Sequence, residues 1–579
     1  MIEHRIEIAD AHAHQFRVTL SLPAPAAEQS LSLPVWVPGS YMVRDFARHL
    51  SMLTARQGRR SVPLTQLDKT TWRADCRGRA PLVLSFLVFA FDTSVRAAFL
   101  DARRGFFNPS SLCLCAHGRE AEPQQIVLGP LPAGWDVATA MPALGAQRYQ
   151  AADYDELIDH PFELGAFWRG GFTAGGVAHE LVVSGALPSF DGARLLADTA
   201  RICRATIQFW DGAAGRPPFD RYLFLLNAVE DGYGGLEHRA STALLAARRD
   251  LPRSGAGDRP LEAASDGTLT LLGLISHEYF HAWNVKRLKP REFERLDLAR
   301  EHPTRLLWFF EGVTSYYDDL LLLRAGLLTA PQYLRQLAKA VNTLLGTPGR
   351  QVQSVAEASF DAWTRFYKSD ENTLNATVSY YAKGALVALL LDLALRERGH
   401  SLDEVMQRLW HTAAGGLLEE ADIAAAIEAV GGVPMTEQLA AWVHGTGELP
   451  LAAALARAAV AWRDEPAPLA ALLGLRLSEG AMTGVQVKSV LRGSAAEAAG
   501  LSPGDELLAV DGWRLRRLED ARQWLAGSQP FELLLSRDQR VLGLTVTPPA
   551  APAALNCTLT LEEQPALAAL ALRRAWLGS

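Results

Sequence analysis

His277-Glu278-Tyr279-Phe280-His281 constrains this chain more than any other stretch, because its two imidazoles face the same way only if the backbone around them is helical. The apolar run 269–275 that leads into it reads as a buried helix, which Ser276 does not break. Histidines four residues apart then project from one face with a carboxylate between them. Two imidazoles make half of a zinc site. Catalytic zinc takes three protein ligands and leaves one position for water, so a third ligand must come from elsewhere in the fold.

Glu311 is the candidate. In Trp308-Phe309-Phe310-Glu311-Gly312-Val313-Thr314-Ser315-Tyr316-Tyr317-Asp318 it stands inside an otherwise apolar helical run. Desolvating an unpaired carboxylate there costs on the order of several kcal/mol, and a divalent cation removes that cost. The competing reading pairs it with Arg305 or a lysine. The expected metal set is therefore His277, His281 and Glu311, holding one zinc ion per chain. Glu278, on the same helix between the histidines, is placed to take a proton from a metal-bound water and return it to a leaving amine. Its bland alternative is a salt-bridged surface glutamate.

The segments His281-Ala282-Trp283-Asn284-Val285-Lys286-Arg287-Leu288-Lys289-Pro290 and Trp308 to Tyr317 resemble the glycyl aminopeptidase family of PDZ-bearing gluzincins. Further matches follow in chain order: Val35 to Tyr41 (VWVPGSY), Tyr154 to Asp159 (YDELID), Gly234 to His238 (GGLEH), Ser379 to Gly384 (SYYAKG) and Gly445 to Pro450 (GTGELP). The resemblance spans nearly the whole chain. It implies a zinc-dependent aminopeptidase with a preference for amino-terminal glycine, and alanine, and a β-rich amino-terminal domain that packs against the catalytic part.

Negative charge developing on a tetrahedral intermediate needs a donor besides zinc, and a phenol stays protonated at neutral pH. Tyr381 matches the catalytic tyrosine position of the wider aminopeptidase superfamily, whereas Tyr380 points roughly a hundred degrees away on the same helix. Ordinary core aromatics are the alternative for both. Recognition of a free amino terminus calls for a carboxylate, and Glu237 fits. It follows the Gly-rich stretch Asp231-Gly232-Tyr233-Gly234-Gly235 after an apolar strand at 222–226, which places it on an exposed sheet edge. A substrate adds to such an edge as a strand, with Gly234 and Gly235 allowing close approach. Related aminopeptidases use a Gly-x-Met-Glu-Asn stretch for this, and His238 stands here where they have Asn. Asp318, two turns after Glu311, is a candidate to orient the histidines. Lys286, Arg287 and Lys289 read either as a receptor for a substrate carboxylate or as a solvated helix terminus, the latter slightly favoured.

Composition fits a large folded enzyme: 579 residues with 49% hydrophobic content support three or four domains. A net charge of -7 and the lack of a long basic face argue against nucleic acid as a partner. The amino terminus carries charges where a signal peptide needs an apolar core, and the apolar stretch 385–393, with Asp392 and Arg396 at its end, is too short for a bilayer. A cytoplasmic protein with no membrane partner is the expectation, and five cysteines, an odd number, fit free thiols.

The fold class expected is multidomain α+β. Residues 1–165 read as a β-sandwich. Residues 166–446 form a thermolysin-like gluzincin catalytic domain, with a mixed sheet lobe carrying one helix at 192–210 and then a helical lobe. A linker at 447–470, a PDZ domain at 471–550 and a tail at 551–579 follow. The PDZ domain is visible in Gly484-Val485-Gln486-Val487-Lys488-Ser489-Val490 and Leu501-Ser502-Pro503-Gly504-Asp505-Glu506-Leu507-Leu508. It binds a peptide carboxyl terminus through the loop Leu472-Leu473-Gly474-Leu475 or is purely structural, the two readings weighing equally. Peptides with a free amino terminus are the expected substrates. The other class of function is a peptide-binding scaffold with a dead peptidase part. The chain favours the enzyme, because His277, Glu278, His281, Glu311 and Tyr381 are all present. Endopeptidase action is opposed by Glu237, which would block extension past the amino terminus.

Overall fold

The computed structural model describes residues 1–212, 215–255, 264–413, 415–525, 527–549 and 555–578. They divide into two compact units, Met1–His302 with Arg324–Leu328 and Met406–Leu418, and Pro303–Leu323 with Thr329–Val405 and Glu419–Ser579.

The first unit opens with strict two-residue alternation. In the strand Gln15–Leu22, Phe16, Val18, Leu20 and Leu22 are buried while Arg17, Thr19 and Ser21 point outward, and Ile2–Asp10 and Leu82–Phe89 on either side repeat the pattern. Such alternation gives each strand one apolar face. An eight-stranded sheet and two four-stranded sheets share one core and make the expected amino-terminal β-sandwich. His4 is buried in that core, where desolvation pushes its pKa down to about 4, and its Nε2 lies 3.2 Å from Gln124 Oε1.

A five-stranded mixed sheet follows, in the order Trp168–Ala174, Val177–Ser184, Arg221–Val229, Ser241–Ala247, Tyr233–Glu237. Its three central strands are parallel, and parallel neighbours need a crossover. The helix Gly192–Asp211 supplies it, started by Asp191, whose side chain accepts from Arg194 N at 3.0 Å. The last strand in the order, Tyr233–Glu237, is antiparallel and forms an edge.

The second unit is helical apart from its PDZ module and one two-stranded sheet. Its central helix, Tyr380–Arg396, is buried almost all round. Asp392 near its end is fully buried and held by Arg396 Nε at 2.9 Å, Tyr316 OH at 2.5 Å and Leu402 N at 2.8 Å, which makes this stretch a core helix. No helix among the described residues is long and apolar enough to cross a membrane. This helix crosses the Leu307–Phe310 and Gly312–Arg324 pair in backbone contact: a Cβ on Gly384 would stand 2.5 Å from the Trp308 carbonyl oxygen, and one on Gly312 2.5 Å from Gly384 Cα. Gly384→Ala is therefore expected to cost about 1–3 kcal/mol through overpacking. An unshifted urea midpoint would show that the helices do not approach this closely.

Residues 447–470, read as a linker, carry the helix Leu451–Arg457 and the strand Val460–Pro466. That strand pairs with Leu555–Leu561 from the stretch read as a tail, and the helix Leu567–Leu577 follows, with buried Trp576 donating to Tyr316 OH at 3.0 Å. Alanine-rich stretches carry little local signal for such packing, since their contact partners lie far away in sequence. Between the paired strands sits the PDZ sheet, with its own core and with Leu475–Gly480 at one edge.

Candidate active site

The helix Asp266–Phe280 starts at Ser265, whose hydroxyl accepts from Thr268 N at 3.1 Å, and it is anchored by its inward face. Tyr279 OH lies 2.8 Å from His179 Nε2, and Phe280 packs on Trp210. His277, Glu278 and His281 take the remaining directions. His281 caps the helix end, and its Nδ1 lies 2.8 Å from Asn284 O, a group that only accepts. That nitrogen therefore carries the ring proton and leaves a lone pair on Nε2, 3.0 Å from His277 Nε2.

Glu311 is 3% exposed at the junction of its two helices, with an unbroken backbone ladder: its N donates to Leu307 O and its O accepts from Ser315 N, both at 2.8 Å. One ligand atom each from His277, His281 and Glu311 lie within 4.8 Å of one another. Two imidazole nitrogens and a carboxylate oxygen are the donor set of a three-ligand zinc site, and they fit zinc here. Arg305, the competing partner for Glu311, lies over the Phe360 ring.

Glu278 is buried against the edge strand. A Cβ on Gly235 would stand 1.9 Å from its Oε1, so only glycine admits the carboxylate there. The Gly-rich stretch before Glu237 reads as a turn, yet Gly234 and Gly235 lie within the strand. Glycine carries no strand propensity, and here its missing side chain makes room for Glu278. Glu237 ends the strand, buried, with its carboxylate against Gly39: a Cβ there would stand 2.7 Å from both Oε1 and Oε2. Gly39 has φ 97°, so a side chain would also be strained. Beside Glu237 opens a cavity of about 380 Å³, walled by Trp36, Tyr41, Val285 and Phe293 and by the Asp159–Lys286 pair.

Lys286 is not part of a solvated terminus. Its side chain is 9% exposed, and Nζ lies 2.8 Å from Asp159 Oδ1, which is also 3.3 Å from His238 Nδ1. Arg239 N donates to the other Asp159 oxygen at 2.9 Å. Burial alone would raise the Asp159 carboxyl, but the charges of Lys286 and Arg239 and the His238 hydrogen bond outweigh it and hold it well below the carboxylate range. Burial lowers the pKa of His238. Arg287 donates to the backbone carbonyls of Arg239, Ala282 and Pro218. Val285, β-branched yet at φ 102°, stores strain in the tight reversal between His281 and Lys286.

Tyr381 is half-buried with its hydroxyl 3.3 Å from Tyr367 OH, while Tyr380 is fully buried. Burial first, and then the charge of Glu311, raise the Tyr381 phenol well above its ordinary value, so it stays protonated. Asp318 is half-buried on the helix after Glu311 and accepts from Asp319 N at 2.6 Å. In the PDZ module, Gly474 adopts the left-handed conformation after the helical turn Leu469–Leu473. Leu475 and Leu477, on the edge strand of the PDZ sheet, line a groove with Leu518 and Arg522.

Family models match three parts of the chain: the Peptidase M61 N-terminal domain over residues 3–166, M61 glycyl aminopeptidase over 270–387 and a PDZ domain over 486–536. The crystal structure of an aminopeptidase N family protein from Idiomarina loihiensis is 34% identical, covers 100% of both chains and superposes with a TM-score of 0.94. The chain belongs to the M61 glycyl aminopeptidase family. It is accordingly a metallopeptidase. Two structures of an M1 zinc metallopeptidase from Deinococcus radiodurans, one of them a mutant bound to a Tyr-Ser-Ala substrate, are 13% and 14% identical over 78% of this chain and 94% of theirs, with TM-scores of 0.48 and 0.45. No curated protein matches.

Gly39, Arg96 and Asp159 contact the site and, like the cavity walls Trp36, Tyr41, Val285 and Phe293, were assigned no role from sequence. Gly39 and Asp159 sit in motifs that carried the family resemblance, VWVPGSY and YDELID. Arg96 had no local signal at all.

Proposed function

We propose that this protein is a zinc-dependent aminopeptidase that releases the first residue, glycine and alanine preferred, from peptides with a free amino terminus. The observation that carries the reading is the approach of the Glu278 carboxylate, on the helix of His277 and His281, to the edge strand that ends in Glu237. One zinc ion per chain, held by His277, His281 and Glu311, would lower the pKa of a bound water to about 7 and polarise the scissile carbonyl.

Glu278 takes the proton from the attacking water and delivers it to the leaving amine. The Tyr381 phenol donates to the oxygen on which negative charge develops. Glu237 receives the substrate ammonium, and Gly234 and Gly235 let the substrate backbone approach the strand edge. The glycine preference rests on family membership, and the cavity beside Glu237 makes larger first residues a necessary part of its test.

The test is release of amino-terminal residues from a panel of unblocked and acetylated peptides by zinc-loaded enzyme. Only unblocked peptides are expected to be cleaved. Glu237→Ala is expected to lower kcat/KM on them by about 10²-fold, the loss that follows removal of one partner of a buried charge pair. Cleavage of acetylated and unblocked peptides at similar rates would reject the aminopeptidase reading, and no cleavage by zinc-loaded enzyme would favour the scaffold.

A further inference from the structure

Arg96 reaches the edge strand from the amino-terminal β-rich part of the chain. Its Nη2 donates to Gly235 O at 3.2 Å, and Nη1 lies 3.4 Å from where a Cβ on Gly234 would stand. The strand register shows which way these groups face. His238 N donates to Ser241 O at 2.9 Å, so His238, Leu236 and Gly234 bond inward to the neighbouring strand. Tyr233, Gly235 and Glu237 therefore turn their N–H and C=O groups to the open edge. Arg96 occupies the Gly235 acceptor on that edge, where an incoming strand would otherwise continue.

The guanidinium is not neutralised there. Its Nε is buried with no hydrogen-bond partner among the described residues, and no ion pair among them includes Arg96. A cation at the strand edge two residues from Glu237 stands roughly 7 Å along the strand from it. An extended dipeptide spans roughly 7 Å and a tripeptide roughly 10 Å. A substrate laid on this edge with its ammonium at Glu237 brings its own end to Arg96, and a planar guanidinium matches a carboxylate with two parallel hydrogen bonds.

We infer that Arg96 is the receptor for the free α-carboxylate of a short peptide, which makes dipeptides and tripeptides the substrate class of this site. The assignment rests on the aminopeptidase reading and deepens it. Arg96 closes one end of the substrate strand as Glu237 closes the other, so longer and amidated peptides lose a charge-assisted contact and meet a blocked edge.

The test compares kcat/KM for Gly-Leu and Gly-Leu-NH2, which release the same residue, in the zinc-loaded full chain, with a glycine-initiated pentapeptide in parallel. The free acid is expected to be preferred by about tenfold or more, mainly through KM. Arg96→Ala is expected to collapse that ratio toward one, and Arg96→Lys, which keeps the charge without the fork, to hold it in between. A wild-type ratio near one, or an equal loss on both substrates in Arg96→Ala with the ratio kept, would overturn the assignment and leave Arg96 as a strand-edge cap. Hydrolysis of neither substrate by zinc-loaded wild-type enzyme would overturn the aminopeptidase reading and the assignment with it.

Discussion

Glu278→Gln is expected to lower kcat by about 10³-fold while the protein keeps its bound zinc. Glutamine fills the same space in the helix but accepts no proton, so the attacking water keeps its hydrogen and the leaving amine receives none. Zinc retention is expected because the proposed donor set, His277, His281 and Glu311, does not include Glu278. The same carboxylate can be disturbed from the other side. Gly235→Ala would put a methyl group 1.9 Å from Glu278 Oε1, so the carboxylate must move. A shift of about 1 Å in a catalytic group is worth roughly 10²-fold, and this variant too should keep its metal. Steady-state kinetics with zinc analysis on the same preparations decides the matter: near-wild-type kcat in the glutamine variant would remove Glu278 from the proton transfers.

His281→Ala should be the more complete loss. The imidazole Nε2 is one of the three proposed ligand atoms, since the backbone carbonyl of Asn284 accepts from Nδ1–H and leaves the lone pair on Nε2. With one nitrogen gone, two protein ligands remain where catalytic zinc uses three. Zinc measured after dialysis should fall from about one per chain to near zero, and hydrolysis to the level of the chelated enzyme. Glu311→Ala should do the same. Full zinc occupancy in either variant after dialysis would show that the metal sits elsewhere. Circular dichroism separates metal loss from unfolding, since the apolar faces of the surrounding helices are untouched by either change.

The parts of the site that were legible are those whose geometry is local. The spacing of His277 and His281 becomes a shared direction through the helical period, and the alternation of Phe16, Val18, Leu20 and Leu22 becomes one buried sheet face through the strand period. Glu311 was legible because a carboxylate in an apolar helix needs a partner. The paired strands Val460–Pro466 and Leu555–Leu561 were not, because residues this far apart share no period. Lys286 was misread for a related reason: three basic residues after a helix look like a solvated terminus, and the partner that buries one of them, Asp159, lies in a distant motif.

The sequence by itself determined the reacting groups, since residue type and helical spacing are covalent facts that set which atoms can bind a metal and move a proton. Tertiary structure alone decided what surrounds the edge strand Tyr233–Glu237. Gly39 reaches Glu237 and Arg96 reaches Gly235 O from parts of the chain more than a hundred residues away, and Val285 holds a strained φ that no β-branched residue adopts unaided. Those positions depend on packing the β-sandwich beside the mixed sheet, where many weak contacts summed over a shared core hold a glycine, a guanidinium and a strained turn in place.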